Sequence, residues 1–176
     1  MSERSRFYQN NFEGVAPECV PYRMMRPSEQ VVLQYVADGY TEVEIAENLF
    51  VSVKTVEAHK RNMVALGLPR GHGNGDTKAT ITALIIDGIN NGYISHEHSG
   101  EQVQPLSKAE QAVMKEILSG YSEPDISEHL GSCRKTVEAH SSKIYTKLGL
   151  GKRRNRYHAT ARYTYLNLHG LLPEKK

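Results

Sequence analysis

Two stretches of this chain carry side chains suited to chemistry on an anion. The first is Lys152-Arg153-Arg154-x-Arg156, a dense basic cluster at the expected entrance to the last helix. Cations are unfavourable at a helix N-terminus, where the macrodipole is already positive. An anionic partner therefore accounts for the cluster better than a solvated helix end does. The second is the hexapeptide Lys54-Thr55-Val56-Glu57-Ala58-His59, which recurs unchanged as Lys135-Thr136-Val137-Glu138-Ala139-His140. Enzyme chemistry finds little support. The eight histidines do not converge, and His96-x-His98 is a lone pair in a polar segment. No paired carboxylates, nucleophile triad or phosphate loop appears, and Gly71-x-Gly73-x-Gly75 follows no strand as a dinucleotide loop would. Cys19 and Cys133 lie far apart without metal-ligand spacing, which points to a reducing cytoplasm. The expectation is a protein that is no enzyme, with no metal or cofactor.

The elements that must position these residues are themselves repeated. Setting Arg26–Lys60 against Ser107–Ser141, an offset of 81, gives 15 identities in 35 positions. They include Glu29/Glu110, Gln30/Gln111, Gly39-Tyr40/Gly120-Tyr121, Ile45/Ile126 and Leu49/Leu130. Chance would supply roughly two or three, so the reading is a duplication, the feature to seek first in any chain. In the second copy Ser107-x-x-Glu110 is a capping box, and Val113, Met114, Ile117 and Leu118 recur at helical spacing up to Gly120. A short helix opens at Ser122 and buries Ile126 and Leu130. A third runs from about Arg134 to Lys147 with Val137, Ile144 and Leu148 inside, and a fourth from about Arg154 to Leu168 carries Ala161, Tyr165 and Leu168. In the first copy the helix starts are Pro27 with Glu29, Thr41-x-x-Glu44 and Ser52-x-x-Thr55, with a fourth helix at about Asp76–Ile89. Its expected core is Val32, Leu33, Val36, Ile45, Leu49, Val56, Met63, Leu84 and Ile85.

Four short helices per copy, with a three- to four-residue turn between the second and third, make an all-α helix-turn-helix unit. Two copies are too few for a solenoid scaffold. The expected division is an arm over 1–22, a first domain over 23–94, a short polar linker over 95–105 and a second domain over 106–176.

Whole-chain figures set bounds on this picture. The chain has 176 residues and 19.8 kDa, with 22 Lys+Arg against 20 Asp+Glu, a net charge of +2. That length suits one medium domain or two small ones. No apolar run approaches the ~18–20 residues of a membrane span, and no apolar signal core follows the N-terminus. Near-neutrality as an average hides an asymmetry. Residues 23–94 hold 7 cations and 8 acids, net −1, whereas residues 106–172 hold 11 and 6, net +5.

At these residues the chain resembles the LuxR-type helix-turn-helix domain of bacterial regulators. The first copy shows Pro27-x-Glu29, Gly39, Ile45-Ala46-x-x-Leu49, Ser52-x-x-Thr55-Val56-x-x-His59 and Leu66-Gly67-Leu68. The second shows Glu110, Gly120, Ile126-x-x-x-Leu130, Thr136-Val137-x-x-His140 and Leu148-Gly149-Leu150. The resemblance implies two tandem domains of the winged-helix-like superfamily and a third helix in each that enters the major groove of double-stranded DNA. It implies backbone contacts from Lys54, Thr55 and His59, and from Lys135, Thr136 and His140. Base-facing positions would be Glu57, Ala58 and Arg61 in the first copy, and Glu138, Ala139 and Ser142 in the second. Lys143, Lys152, Arg153, Arg154 and Arg156 would add cationic contacts. A glutamate can accept from cytosine N4, an alanine can meet a thymine methyl and an arginine can fork onto guanine.

Three departures stand out. The first copy inserts Arg70-Gly71-His72-Gly73-Asn74-Gly75 before its fourth helix. The second has Cys133 where the capping serine belongs, with Ser132 one residue early as the substitute cap. The partner domain usual in the family, a phospho-receiver or an autoinducer pocket, has no counterpart in the N-terminal 25 residues.

The function this implies is a sequence-specific, cytoplasmic, nucleoid-associated transcription regulator reading two similar half-sites. It would act as an intramolecular pseudo-dimer or as a homodimer through the fourth helices, with no membrane partner. The alternative is a protein-interaction module that antagonises another LuxR-type regulator or RNA polymerase, suggested by the acidic first copy.

Overall fold

The structure, a computed structural model, describes residues 25–65, 77–96, 102–151 and 155–173. The expected arm, the glycine-rich insert, Leu66-Gly67-Leu68, His98 and Lys152-Arg153-Arg154 lie outside the described residues.

Local capping sets where the helices begin. Arg26 N–H donates to Glu29 Oε2 at 2.9 Å and opens α1, Pro27–Ala37. Thr41 and Glu44 exchange side chain for backbone and open α2, Glu42–Leu49. α3 is Val53–Ala65 and α4 is Thr77–Asn90. In the later half Ser107 and Glu110 form the capping box of α5, Lys108–Leu118. Ser122 N–H donates to Asp125 at the head of α6, Glu123–His129, with Pro124 harmless in the first turn. α7 is Arg134–Lys147 and α8 is Arg156–Leu168, the latter capped by Asn155 Oδ1, which accepts from the His158 N–H at 3.0 Å. The described residues are all helix and connection.

Within the first four helices α1 and α2 both lie on α3, and α4 closes over α3 and α1. In the last four, α5 and α6 lie on α7, while α8 meets α5. Val32, Leu33, Ile45, Val56 and Met63 are fully buried in the first core, as are Met114, Ile126, Val137, Ile144 and Leu148 to within 1% in the second. The expected cores are thus observed with four departures: Leu49, Leu130 and Tyr165 are half-buried, and Leu168 is exposed at 36%.

The most extensive helix pair joins the two halves, α4 against α8. Ala161, Tyr157 and Tyr165 of α8 pack into the first core, and Ile86 of α4 packs into the second. The contact is reciprocal at its edges. Asn155 Nδ2 donates to Gly39 O at 3.0 Å, and Ala79 of α4 presses on Gly120, the repeat counterpart of Gly39. The start of the connecting segment is fixed as well. Gln34 both donates to Ser95 O and accepts from Ser95 N–H, while the His96 ring meets His158 edge-on at 5.5 Å.

Between α2 and α3 the turn runs Phe50-Val51-Ser52, and Phe50 sits at φ +55° with 96% of its surface exposed. Its counterpart Gly131 sits at φ +58° in the turn before α7. A side chain in the left-handed region costs about 1–2 kcal/mol, and here no packing offsets it. Phe50→Gly is therefore expected to stabilise the fold by about 0.5–1 kcal/mol, after the extra chain entropy of glycine is subtracted. A urea midpoint that did not rise would contradict this.

Candidate nucleic-acid interface

Each repeated hexapeptide occupies the first two turns of a helix that buries one face and shows the other. Val56 and Val137 are completely buried and lock α3 and α7 onto the helices beneath. On the outer side of α3, Lys54, Glu57 and Arg61 are exposed, and Thr55, Ala58 and His59 are half-buried. On α7, Lys135, Thr136, Glu138, Ala139, Ser142 and Lys143 are exposed, and His140 is half-buried. The repeat thus brings lysine, threonine, glutamate and histidine to the same edge of each helix-turn-helix. His59 and His140 also share one detail: Nδ1 of each is buried without a hydrogen-bond partner. Only the opposite ring nitrogen is left to meet a ligand.

The helix starts differ between copies. Ser52 Oγ accepts from the Thr55 N–H at 3.1 Å and lies 2.8 Å from its hydroxyl, capping α3. At α7 the cap position is Cys133, whose Sγ lies 3.1 Å from Thr136 Oγ1. The Thr136 hydroxyl first, and then its backbone N–H, hold the Cys133 thiol below its ordinary pKa. Ser132 does not cap early as the sequence suggested; its hydroxyl donates back to Leu130 O at 3.4 Å.

α3 and α7 are each tied down by an ion pair to a supporting helix. Lys60 reaches Glu42 of α2 at 2.5 Å, and Lys147 reaches Glu110 of α5 at 2.6 Å. Glu110 is 4% exposed and also accepts from the Ser107 N–H. Burial alone would raise its pKa. The Lys147 ammonium and the Ser107 donors outweigh that and hold the carboxyl below its ordinary pKa. A depressed carboxyl contributes stability that is fully present above its unfolded pKa and is lost as pH falls through the lower folded value. Glu110→Gln is therefore expected to destabilise the protein by about 3 kcal/mol at neutral pH and by progressively less toward pH 3. Equal destabilisation at both ends of a pH series of thermal melts would refute the assignment.

Arg156 corrects the sequence reading. Expected at a phosphate, it is 8% exposed, and its Nη2 donates to Tyr121 O at 2.6 Å and toward Ile117 O at 3.5 Å. Ile117 lies in the last turn of α5 and Tyr121 in the connection just beyond it, where a cation is favoured by the helix dipole, so the charge is used inside the fold. Sequence reasoning also missed Arg134, which sits at the head of α7 with its Nε 2.9 Å from Glu138 Oε1. The signal was available as an i,i+4 pair of opposite charge. Glu57 and Arg61 share the same i,i+4 spacing on α3, yet neither side chain makes an ion pair among the described residues. No group of three or more metal-ligating side chains occurs among the described residues, and no described helix is long and apolar enough to cross a membrane.

Comparison with known proteins adds a family. The model for "Bacterial regulatory proteins, luxR family" matches residues 27–65 and 104–160. The chain is similar to the "Oxygen regulatory protein NreC" of Staphylococcus aureus strains JH9, JH1 and Mu3 / ATCC 700698, at 45% identity over 65 residues in each case. Those residues are 36% of this chain and 30% of the relative, so the match spans under a third of these relatives. No solved structure matches the chain.

Proposed function

Since the chain belongs to the luxR family of bacterial regulatory proteins, we propose that it is a sequence-specific DNA-binding regulator of transcription. It reads two similar half-sites of double-stranded DNA with α3 and α7. In this reading residues 23–94 and 106–176 are two helix-turn-helix domains, joined by 95–105 and preceded by an arm over 1–22. The observation that carries it is the repeated hexapeptide, presented twice on the exposed edge of a helix whose other face is locked by Val56 or Val137. The packing of α4 on α8 supports a pair of readers within one chain. Lys54, Thr55, His59, Lys135, Thr136 and His140 then meet phosphates, while Glu57, Ala58, Arg61, Glu138, Ala139 and Ser142 face bases. Lys143, Lys152, Arg153 and Arg154 add cationic contacts, and the net +5 of residues 106–172 makes the second reader the main electrostatic anchor.

Footprinting on a DNA selected from random duplexes tests this. Two protected half-sites per chain are expected, and Lys54→Ala and Lys135→Ala should each lower the slope of log affinity against log salt by about 1. One protected half-site per chain, indifferent to Lys54, would instead favour a protein-binding role for the first copy. The acidic balance of residues 23–94 and the exposed Phe50 support that second reading, in which another LuxR-type regulator or RNA polymerase is the partner.

A further inference from the structure

The two recognition helices carry the same glutamate, but its neighbour one turn earlier differs: Val53 precedes Glu57 where Arg134 precedes Glu138. Arg134 Nε donates to Glu138 Oε1 at 2.9 Å, with the two side chains 66% and 50% exposed. Glu57 forms no ion pair among the described residues, and Val53 is half-buried against the first core. The duplication thus supplies an internal comparison, one glutamate ion-paired to the residue one turn earlier and one with no ion pair among the described residues.

An exposed i,i+4 pair adds little to stability, so its consequence must lie elsewhere. α7 opens on Arg134 and Lys135 with no acidic residue in its first turn, and two cations at the positive end of a helix call for nearby anions. Glu138 is one, approached from the following turn. A bare carboxylate carried into a DNA groove meets phosphate repulsion on both sides. A guanidinium bonded to it through Nε cancels that charge, restricts its rotamer, and keeps the Nη hydrogens for a phosphate or base edge.

We propose that Arg134 is a specificity-determining positioning residue, holding Glu138 to accept from a cytosine N4 in the half-site under α7. Glu57, without such an ion pair, reads its base weakly. The operator is then asymmetric: a strong cytosine preference at one position of one half-site and little preference at the matching position of the other. This rests on the DNA-binding reading above.

The test uses the full chain. Duplexes are selected from a random double-stranded pool, and the enriched duplex is assayed with each base pair at every position for wild type, Arg134→Ala, Glu138→Ala and the double variant. Either single variant is expected to reduce the cytosine preference about tenfold at one position, with the double variant no worse than either single. Arg134 is exposed, so thermal midpoints should barely move. If Arg134→Ala weakens binding equally on all four base pairs, Arg134 is a phosphate contact only and the proposal is overturned. Equal cytosine preference in both wild-type half-sites overturns it too. A pool that never enriches removes the DNA-binding reading itself, and this proposal with it.

Discussion

Replacing Gly120 with valine is expected to cost about 3–5 kcal/mol and to loosen the contact between the two halves of the molecule. Gly120 ends α5 at φ +86°, a conformation that side chains pay to adopt. A Cβ there would stand 2.4 Å from Ala79 Cα and 2.7 Å from its Cβ, so the obstacle is the backbone of α4 and not the tip of a flexible side chain. Gly131→Val is the matched control. Gly131 also has positive φ, at +58°, but nothing lies within 4 Å of its would-be Cβ. It should incur the conformational cost alone, about 1–2 kcal/mol. The difference between the two midpoints in urea measures the steric part. Limited proteolysis should cut Gly120→Val, and not Gly131→Val, between residues 95 and 105. Equal effects from the two variants would mean that α4 yields to the added carbon, and that the close approach of the halves has no energetic weight.

The second large effect belongs to Arg162. This side chain is 2% exposed, the largest wholly buried group in the described residues, and its Nε donates to Leu148 O at 3.3 Å. Leu148 is the C-cap of α7, so a cation lies where that helix ends and its dipole is negative. Arg162→Ala leaves both a cavity and an unsatisfied carbonyl, and should destabilise by about 3–5 kcal/mol. Arg162→Met keeps most of the volume while removing the charge and its desolvation cost, and should lose less than half as much. Chemical denaturation of the two variants separates the contributions. If methionine is as damaging as alanine, the charge at the end of α7 outweighs packing.

Arg162 also explains where sequence reasoning ran out. Hydropathy and capping were enough for α1 to α7, because Val32, Ile45, Val56, Met114, Ile126 and Val137 fall at helical spacing between recognisable starts such as Thr41 and Ser107. For α8 the same reasoning placed Leu168 inside, while the basic cluster and the family resemblance placed Arg156 at a phosphate. Leu168 is exposed, while Arg156, Thr160, Arg162 and Thr164 are buried. A periodicity of apolar residues cannot flag the arginines and threonines that share the hidden face of α8 with Ala159, Ala161 and Leu166, nor say which neighbour covers it. That neighbour is mostly α4, 79 residues away by the offset of their starting residues, Thr77 and Arg156. In the candidate interface, the repeat itself made Lys54 to His59 and Lys135 to His140 legible. The Arg134–Glu138 pair was legible as an i,i+4 spacing, but only the structure distinguishes it from Glu57 and Arg61, which share that spacing and make no ion pair among the described residues.

The α4–α8 contact has a consequence for dose response. Separate reader subunits must first find each other, and at low abundance most are alone, so occupancy of a two-part operator rises steeply with concentration. Readers held on one chain meet at an effective concentration set by the tether and the seam between them, on the order of millimolar for a short connection, however dilute the protein. Under the proposed function, operator occupancy then follows the first power of protein number. A few molecules per cell would titrate their sites in proportion, without a threshold.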